Sequence, residues 1–196
     1  MKTTLALLLA VLSITIASAP VQAQTRVRGT ITAASGDTLG VKTGDGRNVD
    51  VGVSEKTNIV FAQPIAASDI KSGDFLGVTS VKRKDGSLTA YDVRRFPKPT
   101  NPGHRPFDGR ENQTMTNASV AATVQGASGR ELVLSYEGGS QKVTVTDTAA
   151  VTSLVPGQRS QLTPGSYVNL LADAAADGTL VARNIEVRKD APKPPQ

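Results

Sequence analysis

The chain has 196 residues, with 22 Lys and Arg against 17 Asp and Glu, no cysteine and one histidine. A net charge of +5 falls short of the dense basic surface that marks a dedicated nucleic-acid binder. Without cysteines, stability has to come from core burial rather than disulfides, and a transition-metal site built from several His and Cys ligands is excluded.

Residues 1–23 read as a secretory signal peptide. Met1-Lys2 gives a positive start, Leu5 to Ile16 is an apolar run, and Val21-Gln22-Ala23 places small residues three and one before a cut. The run is shorter than the ~20 residues of a membrane span. Gln24 is the expected mature start, which puts the protein in the periplasm or outside the cell.

Five strands are expected over 24–96. Val27, Gly29, Ile31 and Ala33 alternate with polar residues, and Ala34-Ser35-Gly36-Asp37 makes a turn. Leu39 and Val41 share a face of the second strand. Gly44-Asp45-Gly46-Arg47 is a hairpin signal, because Asp-Gly accepts positive φ readily. Val49, Val51 and Val53 mark the third strand. Ser54 to Gly73 is a longer connection, with a short helical turn expected over Ala66–Ile70. Phe75–Lys82 and Leu88–Phe96 follow, joined by a turn that carries the basic cluster Lys82-Arg83-Lys84.

Residues 97–117 read as a proline-rich linker. Pro97, Pro99, Pro102 and Pro106 oppose regular structure. Its centre, Gly103-His104-Arg105-Pro106-Phe107-Asp108, holds the least generic chemistry of the chain. Asn112 and Asn117 each open an N-glycosylation-type triplet, a pattern common by chance.

A second set of five strands is expected over 118–188, near 119–126, 131–136, 141–146, 166–173 and 179–187, followed by a disordered tail at 189–196. The two sets are copies. Val27, Ala34-Ser35-Gly36 and Leu39 match Val120, Ala127-Ser128-Gly129 and Leu132 at an offset of 93. Asp85-Gly86-Ser87-Leu88 matches Asp177-Gly178-Thr179-Leu180 at an offset of 92. The fold class that follows is all-β: two tandem five-stranded OB-like barrels, in which closure would remove exposed edges, with an open five-stranded sheet or a sandwich of the two copies as the alternatives. The copies differ in charge, with 11 basic and 8 acidic residues in 24–97 against 5 and 6 in 118–188.

Each copy resembles a bacterial exported domain family of unknown function. The residues that carry the likeness are Gly29-Thr30-Ile31, Leu39-Gly40-Val41, Gly73-Asp74-Phe75 and Asp85 to Val93, with departures at Ala122 and Ser166 in the second copy. The segment Gly103 to Asp108 with Thr114-Met115-Thr116-Asn117 is similar to related two-copy exported proteins. The resemblance implies a β-rich fold and no particular activity.

The chemistry of the linker reads two ways. Phe107 can dock between the barrels while Arg105 and Asp108 pair or cap backbone groups. Alternatively His104, Arg105, Phe107 and Asp108 form a ligand pocket at the domain interface, where binding sites often lie. His104 and Met115 are the soft groups available to a metal ion. Lys82, Arg83 and Lys84 suit an anionic envelope surface, although a solvated turn is the usual place for such charge. No G-x-S-x-G elbow accompanies the single histidine. The expected function is therefore a non-catalytic exported module that binds a protein, glycan or anionic surface. Neither a cofactor nor nucleic acid is expected. The alternative is a small-ligand or metal-ion carrier at the linker.

Overall fold

The computed structural model describes residues 24–126, 129–175 and 177–192. The expected leader lies outside them, as does the end of the tail. Eleven strands occur among the described residues: β1 (Gln24–Ser35), β2 (Thr38–Thr43), β3 (Asn48–Pro64), β4 (Phe75–Lys82), β5 (Leu88–Phe96), β6 (Gly103–Phe107), β7 (Arg110–Gly126), β8 (Gly129–Tyr136), β9 (Gly139–Pro156), β10 (Tyr167–Ala174) and β11 (Leu180–Arg188). Short 3-10 turns at Ala67–Asp69 and Arg159–Gln161 follow β3 and β9.

The strands close into two five-stranded barrels, but neither barrel is one sequence copy. In barrel 1, β1 pairs with β2, β2 with β3, β3 in parallel with β11, β11 with β10, and β10 with β1. In barrel 2, β7 pairs with β8, β8 with β9, β9 in parallel with β5, β5 with β4, and β4 with β7. Each barrel thus has the OB-type order and takes three strands from one copy and two from the other. The ranges 24–96 and 118–188 delimit sequence repeats, and the folded barrels cut across them.

The exchange runs through β3 and β9. β3 begins in barrel 1 and runs for 17 residues, with a bulge between Val53 and Asn58 where the Ser54 N–H donates to Thr57 Oγ1. It leaves β11 after Phe61, and its end runs on along β9, a strand of barrel 2. β9 makes the reverse passage, and the two strands pair antiparallel where they cross, Val60–Pro64 against Thr152–Pro156. A proline ends each crossing strand, Pro64 and Pro156, and the residue after it adds one last bond across, Ile65 N–H to the Val151 carbonyl and Gly157 N–H to the Ile59 carbonyl. At the centre of the crossing Ala62 faces Leu154, its own counterpart at offset 92. A pseudo-twofold axis therefore passes between them.

Alternation explains the cores. Val27, Ile31, Leu39, Val41, Val51 and Val53 from the first copy pack with Val168, Leu170, Ile185 and Val187 from the second. Ile70, Leu76, Val78, Leu88 and Val93 from the first copy pack with Val120, Leu132, Leu134, Val143 and Val145 from the second. Burying these apolar faces, at about 25 cal/mol per Å², holds each barrel together and ties the copies to one another.

Two further differences from the sequence reading emerge. The first strands are not related by an offset of 93. Ile31 bonds to Gly165 and Ser166 as Val120 bonds to Gly73 and Asp74. Ile31 is also paired with Val41 as Val120 is with Leu134, so their offset is 89. The second copy lengthens the β7–β8 hairpin to Gly126–Gly129, which gives 93 between β2 and β8, and the offset is 92 from β3 and β9 onward. The linker, too, is largely regular. Gly103–Phe107 is a strand despite Pro106, and residues 110–117 belong to β7.

Candidate functional site

The centre of the linker forms a hairpin. Asp108 (φ 53°) and Gly109 (φ 65°) both take positive φ between the paired Phe107 and Arg110, which suits a primed two-residue turn. β6 lies against the first half of β7, with Gly103 opposite Asn117, His104 opposite Thr116, Arg105 opposite Met115 and Pro106 opposite Thr114. Asn117 fastens the entry to β6 by donating from Nδ2 to the carbonyls of Thr100 (3.0 Å) and Asn101 (3.1 Å).

The four candidate side chains do not converge: pairing alternation separates His104 from Arg105, and only Phe107 and Asp108 share a partner, Arg28. His104 Nδ1 lies 2.8 Å from Thr116 Oγ1. Thr116 is fully buried opposite Val78, inside barrel 2, so the imidazole caps the end of that barrel. Burial, with a smaller contribution from Lys82, holds its pKa below the ordinary histidine value. Arg105 turns to the other face and donates to the Asn101 carbonyl at 3.3 Å. Phe107 and Asp108 reach across to barrel 1, where Asp108 pairs with Arg28 and the Arg28 guanidinium sits 5.3 Å from the Phe107 ring centroid. The hairpin is thus a brace between the barrels. Met115 is buried on the opposite face from His104, where its Sδ accepts from Thr79 Oγ1 at 3.8 Å, so the two soft groups do not converge. Among the described residues no group of three or more His, Asp and Glu side chains is placed to hold a metal.

Lys82, Arg83 and Lys84 are exposed on the β4–β5 turn, and Arg83 Nε donates to Thr89 Oγ1 at 3.1 Å. Lys82 and Arg83 correspond to Ala174 and Ala175 in barrel 1.

Two features escaped sequence reasoning. The first is a ring of four charges between the barrels. Arg94 Nη1 donates to Glu186 Oε2 at 2.9 Å, and Arg188 Nη1 to Asp92 Oδ1 at 2.9 Å. Arg94 Nε and Asp92 lie 3.2 Å apart, and Arg188 and Glu186 lie 4.0 Å apart. Burial disfavours the Arg94 charge, but Glu186 and Asp92 outweigh it and raise its pKa above the ordinary value. The available signal was Asp92 and Arg94 flanking Val93 in a strand whose first six residues are all buried.

The second feature is a groove at the end of barrel 1, with a volume of about 420 Å³. Its apolar lining comes from Val27, Val49 and Leu180, and its rim from Thr25, Arg26, Arg28 and the Thr43–Arg47 turn. Asp45 is pulled down to about 2 by the Thr43 hydroxyl and by Arg47, so this carboxylate stays ionised and is engaged with Arg47. Offset 89 identifies Thr25–Arg28 with Thr114–Asn117, the stretch of β7 that β6 covers. Barrel 2 is thus capped by β6 and His104 where, among the described residues, barrel 1 is open.

A family model described as Domain of unknown function (DUF5666) matches residues 28–94 and again 122–186. The chain belongs to the DUF5666 family. No curated protein and no solved structure matches it. The two DUF5666 segments coincide with the sequence repeats, so each barrel here is assembled from parts of two DUF5666 copies. No helix among the described residues is long and apolar enough to cross a membrane.

Proposed function

We propose that this DUF5666 protein is an exported, non-catalytic binding module that works in the periplasm or outside the cell. Its partner is a protein, a glycan or an anionic surface of the envelope, engaged at the end of barrel 1. The observation that carries the reading is the asymmetry between two homologous barrels. One end is closed by β6 and His104, while its counterpart is an apolar groove with an arginine rim. A groove of this size with an apolar floor and a polar rim suits ligand capture. The apolar run of the leader supports export.

The test is a titration of methyl-labelled protein with envelope proteins, polysaccharides and anionic vesicles in turn. The expected result is perturbation of the Val27, Val49 and Leu180 methyls by one class. Perturbation confined to the Lys82–Lys84 turn, or none at all, would contradict the reading.

A further inference from the structure

Barrel 2 displays, within the same molecule, how the end of such a barrel is filled. β6 adds to β7 as an antiparallel strand, and its second residue turns inward over the barrel end. In barrel 1 the equivalent stretch of β1 pairs with β10 along one edge, while on the other edge β2 reaches only to Gly29. Ile31 exchanges its backbone bonds with Gly165 and Ser166 on the β10 side. By alternation, the N–H and C=O groups of Arg26 and Arg28 face the open edge. No described residue pairs with these groups, and such a row beside an apolar groove is a template for strand addition.

The side chains define what would fit. Val27 stands where Thr116 stands in barrel 2, with Val49 and Leu180 beside it, so the inward residue of an added strand meets an apolar surface rather than a hydroxyl. The next residue would lie opposite Arg26. Arg28 is engaged by Asp108 and Arg47 by Asp45. Arg26 donates to Asn169 Oδ1 at 3.1 Å, and no carboxylate among the described residues lies within ion-pair distance of it. We propose that the open edge of β1 takes an extended segment of a partner protein as an added antiparallel strand. That segment carries an apolar residue facing Val27 and, next along its chain, an acidic residue facing Arg26. The inference rests on the binding-module reading and narrows its partner to a peptide.

The probe is a synthetic heptapeptide with the order Asn-Pro-Gly-Ile-Glu-Thr-Phe, which keeps the β6 entry and sets isoleucine and glutamate at the two selective positions. Binding to the purified protein is read by anisotropy of the labelled peptide and by hydrogen exchange of the backbone amides. The expected result is saturable binding that slows exchange at Arg26 and Arg28. Replacing the peptide glutamate by lysine should weaken binding by about tenfold, the loss of one charge-assisted contact. Arg26→Glu should reverse that preference, and because Arg26 is exposed the variant keeps the fold. Binding without protection of the two amides, or with no preference between glutamate and lysine, would overturn strand addition. So would failure of the peptide while a glycan or vesicle still shifts the Val27, Val49 and Leu180 methyls, a result that leaves the binding-module reading standing. Silence of those methyls towards every probe would remove both.

Discussion

Arg94 donates to Glu186 at 2.9 Å, and the two residues hold the same position in their respective copies, 92 apart. Two identical copies exchanged about a twofold axis would place like charges against each other here. Divergence to opposite charge turns a repulsion into an ion pair, and Asp92 and Arg188 complete a neutral ring.

Breaking this ring from one side leaves a buried carboxylate uncompensated. Arg94→Met should cost about 3 kcal/mol in urea unfolding. Adding Glu186→Leu should restore much of that loss, because Asp92 and Arg188 still pair at 2.9 Å. A double-mutant cycle measures the coupling.

Gly77 lies in β4 where a Cβ would sit 2.4 Å from Cε2 of the Phe96 ring. Gly77→Ala should therefore displace Phe96 and lower stability by 1–3 kcal/mol, about 2–4 °C in Tm for each kcal/mol. Gly29→Ala should be worse, since its Cβ would meet the Lys42 carbonyl at 2.2 Å and backbone cannot rotate away. Thermal denaturation of both variants checks the order.

His104 gives the protein an acid-sensitive contact. Its pKa is lowered in the folded state, so the unfolded chain binds more protons as the pH falls towards and below the ordinary value of 6.5. The stabilisation is fully present above that value and is lost on acidification. Chemical denaturation from pH 7.5 to 5 should show a decline that His104→Gln removes.

Arg28 holds the linker hairpin to barrel 1 through Asp108 and Phe107. Both ionic partners are partly exposed, so Arg28→Ala should cost only about 1 kcal/mol. Exchange of the amides from Phe107 to Arg110 should accelerate, while barrel 2 amides remain protected.

Most of the strands were legible because alternation and Asp-Gly turns are local signals, and Leu39, Val41, Val49 and Val51 fall on the inward face as their spacing indicates. The exchange was not legible. β4 and β5 carry the same pattern whether they close on their own copy or on the other, so periodicity cannot choose. The one informative stretch was Ser54 to Gln63, which contains no Gly or Pro and continues as strand where a return loop would need a turn. The ligand-pocket reading of His104, Arg105, Phe107 and Asp108 failed to converge for a related reason. Adjacent residues of a strand point to opposite faces, and Pro106 had masked the strand. The groove of barrel 1 could not be read locally either, since Val27 and Val49 come from one copy and Leu180 from the other.

The exchange of strands between copies underlies both the charge ring and the groove, and one nuclear Overhauser measurement tests it. Val27 is paired with Leu170, whose counterpart in the first copy is Val78. Cross-strand backbone contacts from Val27 to Leu170 are the result this account predicts. Contacts from Val27 to Val78 would mean that each copy closes on itself, and would contradict it.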